Sequence, residues 1–174
     1  MGLVNILFYL TIFTSSSLIG FLYGERFKTR AVSLQDLGYC IRILENEILM
    51  GNTPLPDALK STFKKGRGDI AGVFLAIRKD LLEFEREDIY ISFENYRSIL
   101  KEKYYLKDKD IESFLYLGKI LGKSTREDQE KNFRFIINEI ENNFIEANGE
   151  SSIFAKLYRS LGVLFGLGII IIIT

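Results

Sequence analysis

The chain has 174 residues, 23 of them basic and 23 acidic, so its formal net charge is zero and there is no electrostatic case for nucleic acid. It has no histidine and one cysteine, which excludes serine triads, most zinc sites and a disulfide framework within one chain. Carboxylate chemistry and oxygen-ligated magnesium or calcium stay formally open.

Every charged side chain lies between Glu25 and Arg159, and both flanks are bare. Charges are costly in hydrocarbon, so this sorting predicts three parts: a transmembrane helix over 1–24, a soluble helical domain over 25–159, and a second transmembrane helix over 160–174. Leu3 to Gly24 would extend roughly 33 Å as a helix, enough for a hydrocarbon core of about 30 Å. A cleaved signal peptide would want a basic start and a small-x-small site. No Lys or Arg precedes the run, and Ser15-Ser16-Ser17 sits inside it. The reading is therefore a retained anchor.

Gly20 and Gly24 form a GxxxG pair, the spacing that lets membrane helices approach closely. Arg26, Lys28 and Arg30 follow the first run, and Lys156 and Arg159 precede the last. These five are read as basic residues at the membrane surface, and the positive-inside rule places 25–159 in the cytoplasm with both termini at the outer face.

Between the anchors, apolar residues recur at three and four, so the domain reads as all-helical. Leu34, Leu37, Ile41, Leu44 and Ile48 make one stripe, introduced by Ser33 as N-cap with Asp36 three residues on. Gly51 ends that helix, and Pro54 opens a short one bearing Leu55, Ala58, Leu59 and Phe63. After the turn Lys64 to Gly68, Asp69 caps a third helix with Ile70, Val73, Phe74, Ile77, Leu81 and Phe84 inward.

A fourth helix spans Asp88 to Lys103 with Ile89, Phe93, Tyr96 and Leu100 on one face. The fifth spans Asp108 to Leu121, carrying Ile111, Phe114, Leu115 and Leu117. The sixth begins near Thr125, and its stripe from Phe133 through Ile140, Ala147 and Phe154 to Leu161 continues into the last apolar run, with Gly149 the one candidate interruption. Six short-looped helices predict an antiparallel six-helix bundle flanked by two transmembrane helices. Ser160 to Thr174 alone gives about 22 Å. Counting from Lys156 gives about 28 Å, with Lys156 and Arg159 snorkelling to the headgroups. Gly162 and Gly166 form a second GxxxG pair there.

Gly118 to Ser124 invites a phosphate-loop reading, but three residues stand where that loop needs four, and they lie on an apolar-periodic helix without a preceding strand. A helix end with close packing at the glycines is the expectation. Glu45, Glu47, Asp80, Glu83, Glu85, Glu87 and Asp88 supply carboxylates without an isolated buried pair, and Cys40 reads as a small buried hydrophobe. No catalytic, cofactor-binding or metal-ligating residue is therefore assigned. The aromatic share of 13% exceeds what the core requires, leaving some rings for a partner.

Three segments carry a resemblance. Glu47-Ile48-Leu49-Met50-Gly51-Asn52-Thr53-Pro54-Leu55-Pro56-Asp57-Ala58-Leu59 resembles the E-I-x-x-G-x-x-P-L-x-x-A-L signature of the type II secretion F-like domain. Leu117-Gly118-x-x-Leu121-Gly122-x-Ser124, with Gln129, Lys131 and Phe133, is similar to one branch of that group. Lys156-Leu157-Tyr158-x-x-Leu161-Gly162-x-Leu164-x-Gly166 is too. The branch is the stage III sporulation protein AB family. Thr125 departs from it, since that position is commonly acidic and here the acidity falls on Glu127 and Asp128.

The resemblance implies a non-catalytic membrane platform without cofactor or small-molecule substrate. Its setting would be a secretion-like complex in the mother-cell membrane around the forespore. Its implied partners are a cytoplasmic secretion-type ATPase and other integral membrane subunits. Within the first signature, Gly51, Pro54, Leu55, Ala58 and Leu59 explain themselves as helix ends and core, which leaves Glu47, Asn52 and Asp57 as candidate partner contacts. An inner-membrane platform of a vegetative secretion or pilus system is the alternative on the same fold, and a membrane-anchored carboxylate enzyme the alternative of another class.

Overall fold

The computed structural model describes residues 3–83, 88–121 and 126–173. Their regular elements are α1 (Leu3–Leu49), α2 (Leu55–Lys65), α3 (Ala71–Glu83), α4 (Ile89–Glu94), α5 (Arg97–Glu102), α6 (Asp108–Ile120) and α7 (Arg126–Ile173). The all-α expectation holds, with an antiparallel bundle and two terminal helices long and apolar enough to cross a membrane. Phe84, Glu85, Glu87, Gly122, Ser124 and Thr125 lie outside the described residues.

Two compact units form: residues up to Thr29 with those from Glu146 onward, and Arg30–Ile145. The first is a helical hairpin. Phe13 faces Gly166, Ser16 and Gly20 face Gly162, and Gly24 faces Ala155, so its two helices run antiparallel. The Ser16 hydroxyl donates to the Gly162 carbonyl at 2.7 Å, which ties the two helices together by a side chain as well as by close backbone approach.

The second unit is the bundle. Leu34, Leu37, Ile41 and Leu44 are fully buried, as are Phe74, Phe93, Phe114 and Phe133. Each such side chain contributes about 1.5–3 kcal/mol relative to an exposed position. Phe114 of α6 sits at the centre, edge-on to Phe74 at 5.7 Å and tilted against Phe93 at 5.2 Å. Gly118 lets α4 close on α6, because a Cβ there would stand 3.0 Å from the Tyr90 Cα. Gly118 to Ile120 are helical, as the periodicity requires and a phosphate loop would not be.

Two expectations are corrected. Ser33 is no N-cap: α1 runs through it, and Ser33 is buried. Glu25, Arg26, Lys28, Arg30 and Ala31 are good helix formers, so nothing ends the helix before the stripe begins. The single fourth helix is instead α4 and α5, separated at Asn95–Tyr96. Asp80 of α3 accepts hydrogen bonds from the Asn95 amide at 2.8 Å and the Tyr96 hydroxyl at 3.2 Å, which pins the break to the neighbouring helix. The Tyr96 hydroxyl is pushed up to about 12, first by burial and then by the Asp80 charge. α7 is continuous through Gly149.

Most other local expectations hold. α1 ends at Leu49, and Met50 and Gly51 both donate to the Asn46 carbonyl at 3.0 Å. Asn52 then takes a left-handed φ of 46°, a conformation asparagine tolerates. Pro54 stands as N-cap of α2. Asp69 is not the cap expected of α3, which starts at Ala71: its carboxylate lies 3.5 Å from Lys103 Nζ, and it is its backbone carbonyl that accepts from the Gly72 N–H and the Tyr104 hydroxyl, both at 3.0 Å. Cys40 is fully buried. Burial pushes its thiol up to about 11, so it is un-ionised at neutral pH.

Candidate interaction surfaces

The five basic residues divide. Arg26, Lys28, Lys156 and Arg159 are exposed. Glu25 joins two of them: its carboxylate lies 3.4 Å from Lys28 Nζ and 3.4 Å from Arg159 Nη2, while the Arg159 guanidinium also lies over the Phe21 ring at 4.7 Å. The Arg26 guanidinium lies over the Tyr23 ring at 4.4 Å.

Arg30 corrects the surface assignment. It is 3% exposed, and its Nε and Nη2 donate to Asp110 Oδ2 and Oδ1 at 2.8 and 3.0 Å. Asp110 is itself fully buried, and its Oδ2 also accepts the Lys107 N–H at 2.9 Å at the start of α6. The periodicity of α1 puts Arg30 on the Leu34–Leu37–Ile41 face and Lys28 opposite it, but Arg26 shares that face one turn earlier, so it is the Asp110 carboxylate that sets Arg30 apart.

The α1–α2 corner holds the first signature. Glu47 faces inward across the corner, with its side chain 18% exposed. Its carboxylate accepts from the Thr53 hydroxyl at 3.1 Å, the Ser61 hydroxyl at 2.6 Å and the Lys65 ammonium at 2.7 Å. Those bonds, that of Lys65 first, hold its carboxyl well down, at about 2. Glu47 thus ties the end of α1 to both the turn and α2. Asn52 and Asp57 are exposed, with Asp57 in the first turn of α2, where a carboxylate complements the helix dipole. The structure does not gather the three into one patch.

The glycines lie on one seam of the hairpin. A Cβ on Gly20 would stand 2.5 Å from the Tyr158 carbonyl oxygen and 2.8 Å from the Gly162 Cα. One on Gly24 would stand 2.9 Å from the Ala155 carbonyl oxygen, and one on Gly162 2.8 Å from that of Ser16. Gly166 is looser, with its nearest atoms at 3.3 Å. Beyond Gly20 the seam continues as stacked rings: Tyr23 on Tyr158 at 6.0 Å, Phe27 on Tyr158 at 5.7 Å and Phe27 on Phe154 at 5.2 Å. Sequence reasoning did not single out this ladder. Its signal was present as two aromatic pairs at i,i+4, Tyr23/Phe27 and Phe154/Tyr158, at the inner ends of the two apolar runs.

Several other carboxylates serve ion pairs or caps. Arg97 bridges Glu94 at 2.5 Å and Glu112 at 2.6 Å, and its guanidinium lowers the Glu94 carboxyl. Arg42 pairs with Glu141 at 2.5 Å, and Asp88 caps α4 through the Tyr90 N–H at 3.1 Å. Among the described residues, no three metal-ligating His, Cys, Asp or Glu side chains come together.

The family described as stage III sporulation protein AB matches residues 5–174. The chain belongs to that family. The stage III sporulation protein AB of Bacillus subtilis strain 168 is 25% identical over 154 residues, which is 88% of this chain and 90% of that one. A solved structure of a stage III sporulation protein AB superposes with a TM-score of 0.60 at 23% identity, covering 71% of this chain and 96% of that one, and so shares the fold. A stage III sporulation AB protein is named for a developmental process and not for a reaction, and the role of this chain lies in sporulation.

Proposed function

We propose that this sporulation AB protein is a non-catalytic membrane platform. On this reading it is anchored by residues 1–24 and 160–174, with residues 25–159 in the cytoplasm of the mother cell. It serves a secretion-like complex in the membrane around the forespore and couples a cytoplasmic ATPase to the integral membrane subunits. The observation that carries the reading is the hairpin. Its two helices pair through glycines while Ile6, Leu7, Phe8, Leu10, Leu164 and Ile172 stay exposed at 56–86%. A soluble helix pair would bury such side chains, and lipid would solvate them.

The corner after α1 is the proposed partner contact, with Asn52 and Asp57 presented outward and Glu47 holding the turn that presents them. The seam of Gly20, Gly24, Gly162 and Gly166 packs the two spans within the bilayer. Arg26, Lys28, Lys156 and Arg159 face the headgroups at about 1 kcal/mol each near an anionic surface.

Deletion of the gene, scored separately for vegetative growth and spore development, tests the assignment. Normal growth with arrest after engulfment is expected. Normal spores with lost secretion or piliation would replace it with a vegetative platform. For the corner, the Asn52→Ala/Asp57→Ala double variant is expected to lose capture of the ATPase while its bundle stays folded. Unchanged capture would remove that contact from the proposal.

A further inference from the structure

We propose that the groove along the hairpin holds one anionic phospholipid, its acyl chain lying in the groove and its phosphate at Arg26. This rests on the membrane reading above, since only a lipid-solvated hairpin would offer the groove to a phospholipid.

The groove has a volume of about 310 Å³ and is walled by Ile19, Tyr23, Tyr158, Leu161 and Phe165. Its floor is Gly20 and Gly162, where close approach of the two backbones leaves a depression in place of side chains. The hydroxyl of Ser16, which also lines it, already donates to the Gly162 carbonyl. Hydrocarbon is what such a surface accommodates.

The inner end differs. There the Tyr23 and Tyr158 rings stack at 6.0 Å and 27°, and the Arg26 guanidinium lies over the Tyr23 ring at 4.4 Å. From Ile19 to Arg26 is about 10 Å along the helix. The lining of the groove therefore runs from apolar walls to an aromatic pair, and a guanidinium lies over one ring of that pair, in the order of chain, glycerol level and phosphate in a phospholipid. Arginine is suited to a phosphate by its planar fork of donors. A choline headgroup carries its own cation beside the phosphate and competes with Arg26. A phosphatidylglycerol headgroup does not. A transmembrane helix of another subunit would fill the apolar part but supply no anion at the tyrosine end.

The test uses the purified full chain in detergent micelles with equal amounts of phosphatidylglycerol and phosphatidylcholine, counting retained lipids by native mass spectrometry. The wild type is expected to keep one phosphatidylglycerol, preferred over phosphatidylcholine by about fivefold, the factor corresponding to one cation near an anionic group. Arg26→Gln and the groove-filling Ile19→Trp should each bring the ratio to parity. Lys28→Gln removes an equal charge outside the groove and should leave the preference intact. Leu161→Trp repeats the filling from the opposite wall should Ile19→Trp misfold.

Preference surviving either filled groove overturns the proposal, as does equal loss in Arg26→Gln and Lys28→Gln. A polypeptide found in place of the lipid overturns it as well. Flotation with pure phosphatidylcholine vesicles separates the two readings. A chain that fails to float loses its membrane assignment, whereas one that floats without lipid preference loses only the lipid site.

Discussion

Arg30 and Asp110 form a charge pair that water does not reach, with exposures of 3% and 0% and two hydrogen bonds between them. Removing one partner strands the other in the core. Arg30→Ala is therefore expected to lower unfolding free energy by about 3–5 kcal/mol, whereas Arg30→Met with Asp110→Leu should lose less, because no charge is left stranded although the bond from the Lys107 N–H is gone. Thermal or denaturant unfolding of the full chain in detergent measures both, and a double-variant loss equal to the sum of the Arg30→Met and Asp110→Leu losses would show that the pair is not coupled. Glu47 supplies a pH dependence of opposite origin. Its folded carboxyl sits at about 2 against an ordinary 4.5. A depressed carboxyl stabilises the fold above its unfolded value, and that contribution is lost as pH falls through the folded one. Wild type should thus unfold at a higher temperature than Glu47→Gln at pH 7, with the gap narrowing below pH 4.5 and closing near pH 2. A gap that persists at pH 2 would mean the three bonds to Thr53, Ser61 and Lys65 do not act through the charge.

At the scale of elements, the glycines of the hairpin should rank by the room each leaves. Gly20→Leu and Gly162→Leu drive a side chain into the opposing backbone at under 3 Å, whereas Gly166→Ala meets its nearest atoms at 3.3 Å. With Cys40→Ala removing the native thiol, cysteines at Tyr23 and Tyr158 should cross-link in wild type and in Gly166→Ala. They should fail to do so in either leucine variant. Equal cross-linking in all four would remove the seam as the reason the helices pair. The helices themselves were legible from apolar spacing, from Gly51 and from Pro54, because local stereochemistry decides those ends. Two things were not. The break at Asn95–Tyr96 depends on hydrogen bonds to Asp80, far away in sequence. The inward turn of Arg30 depends on a carboxylate 80 residues on. Glu47 read as surface for the same reason: its partners Ser61 and Lys65 meet it only once α2 folds back.

At the scale of the whole molecule, α1 and α7 each belong to both compact units, and each crosses the boundary without leaving the helical conformation. A platform that relays motion from a cytoplasmic partner to membrane subunits needs stiff connections, and an uninterrupted helix is the stiffest the backbone offers. Gly149 does not break α7, and a Cβ there would meet nothing within 4 Å, so its lack of a side chain serves no packing and Gly149→Ala should raise helix stability by about 1 kcal/mol. Relay then predicts opposite results for two insertions. A flexible Gly-Ser linker after Arg159 should leave the bundle folded and the chain in the membrane but abolish spore formation. A rigid insertion of two helical turns at the same point keeps stiffness and should retain more function than the flexible one. If the flexible linker sporulates normally, the helices are tethers only, and relay of motion through them is ruled out.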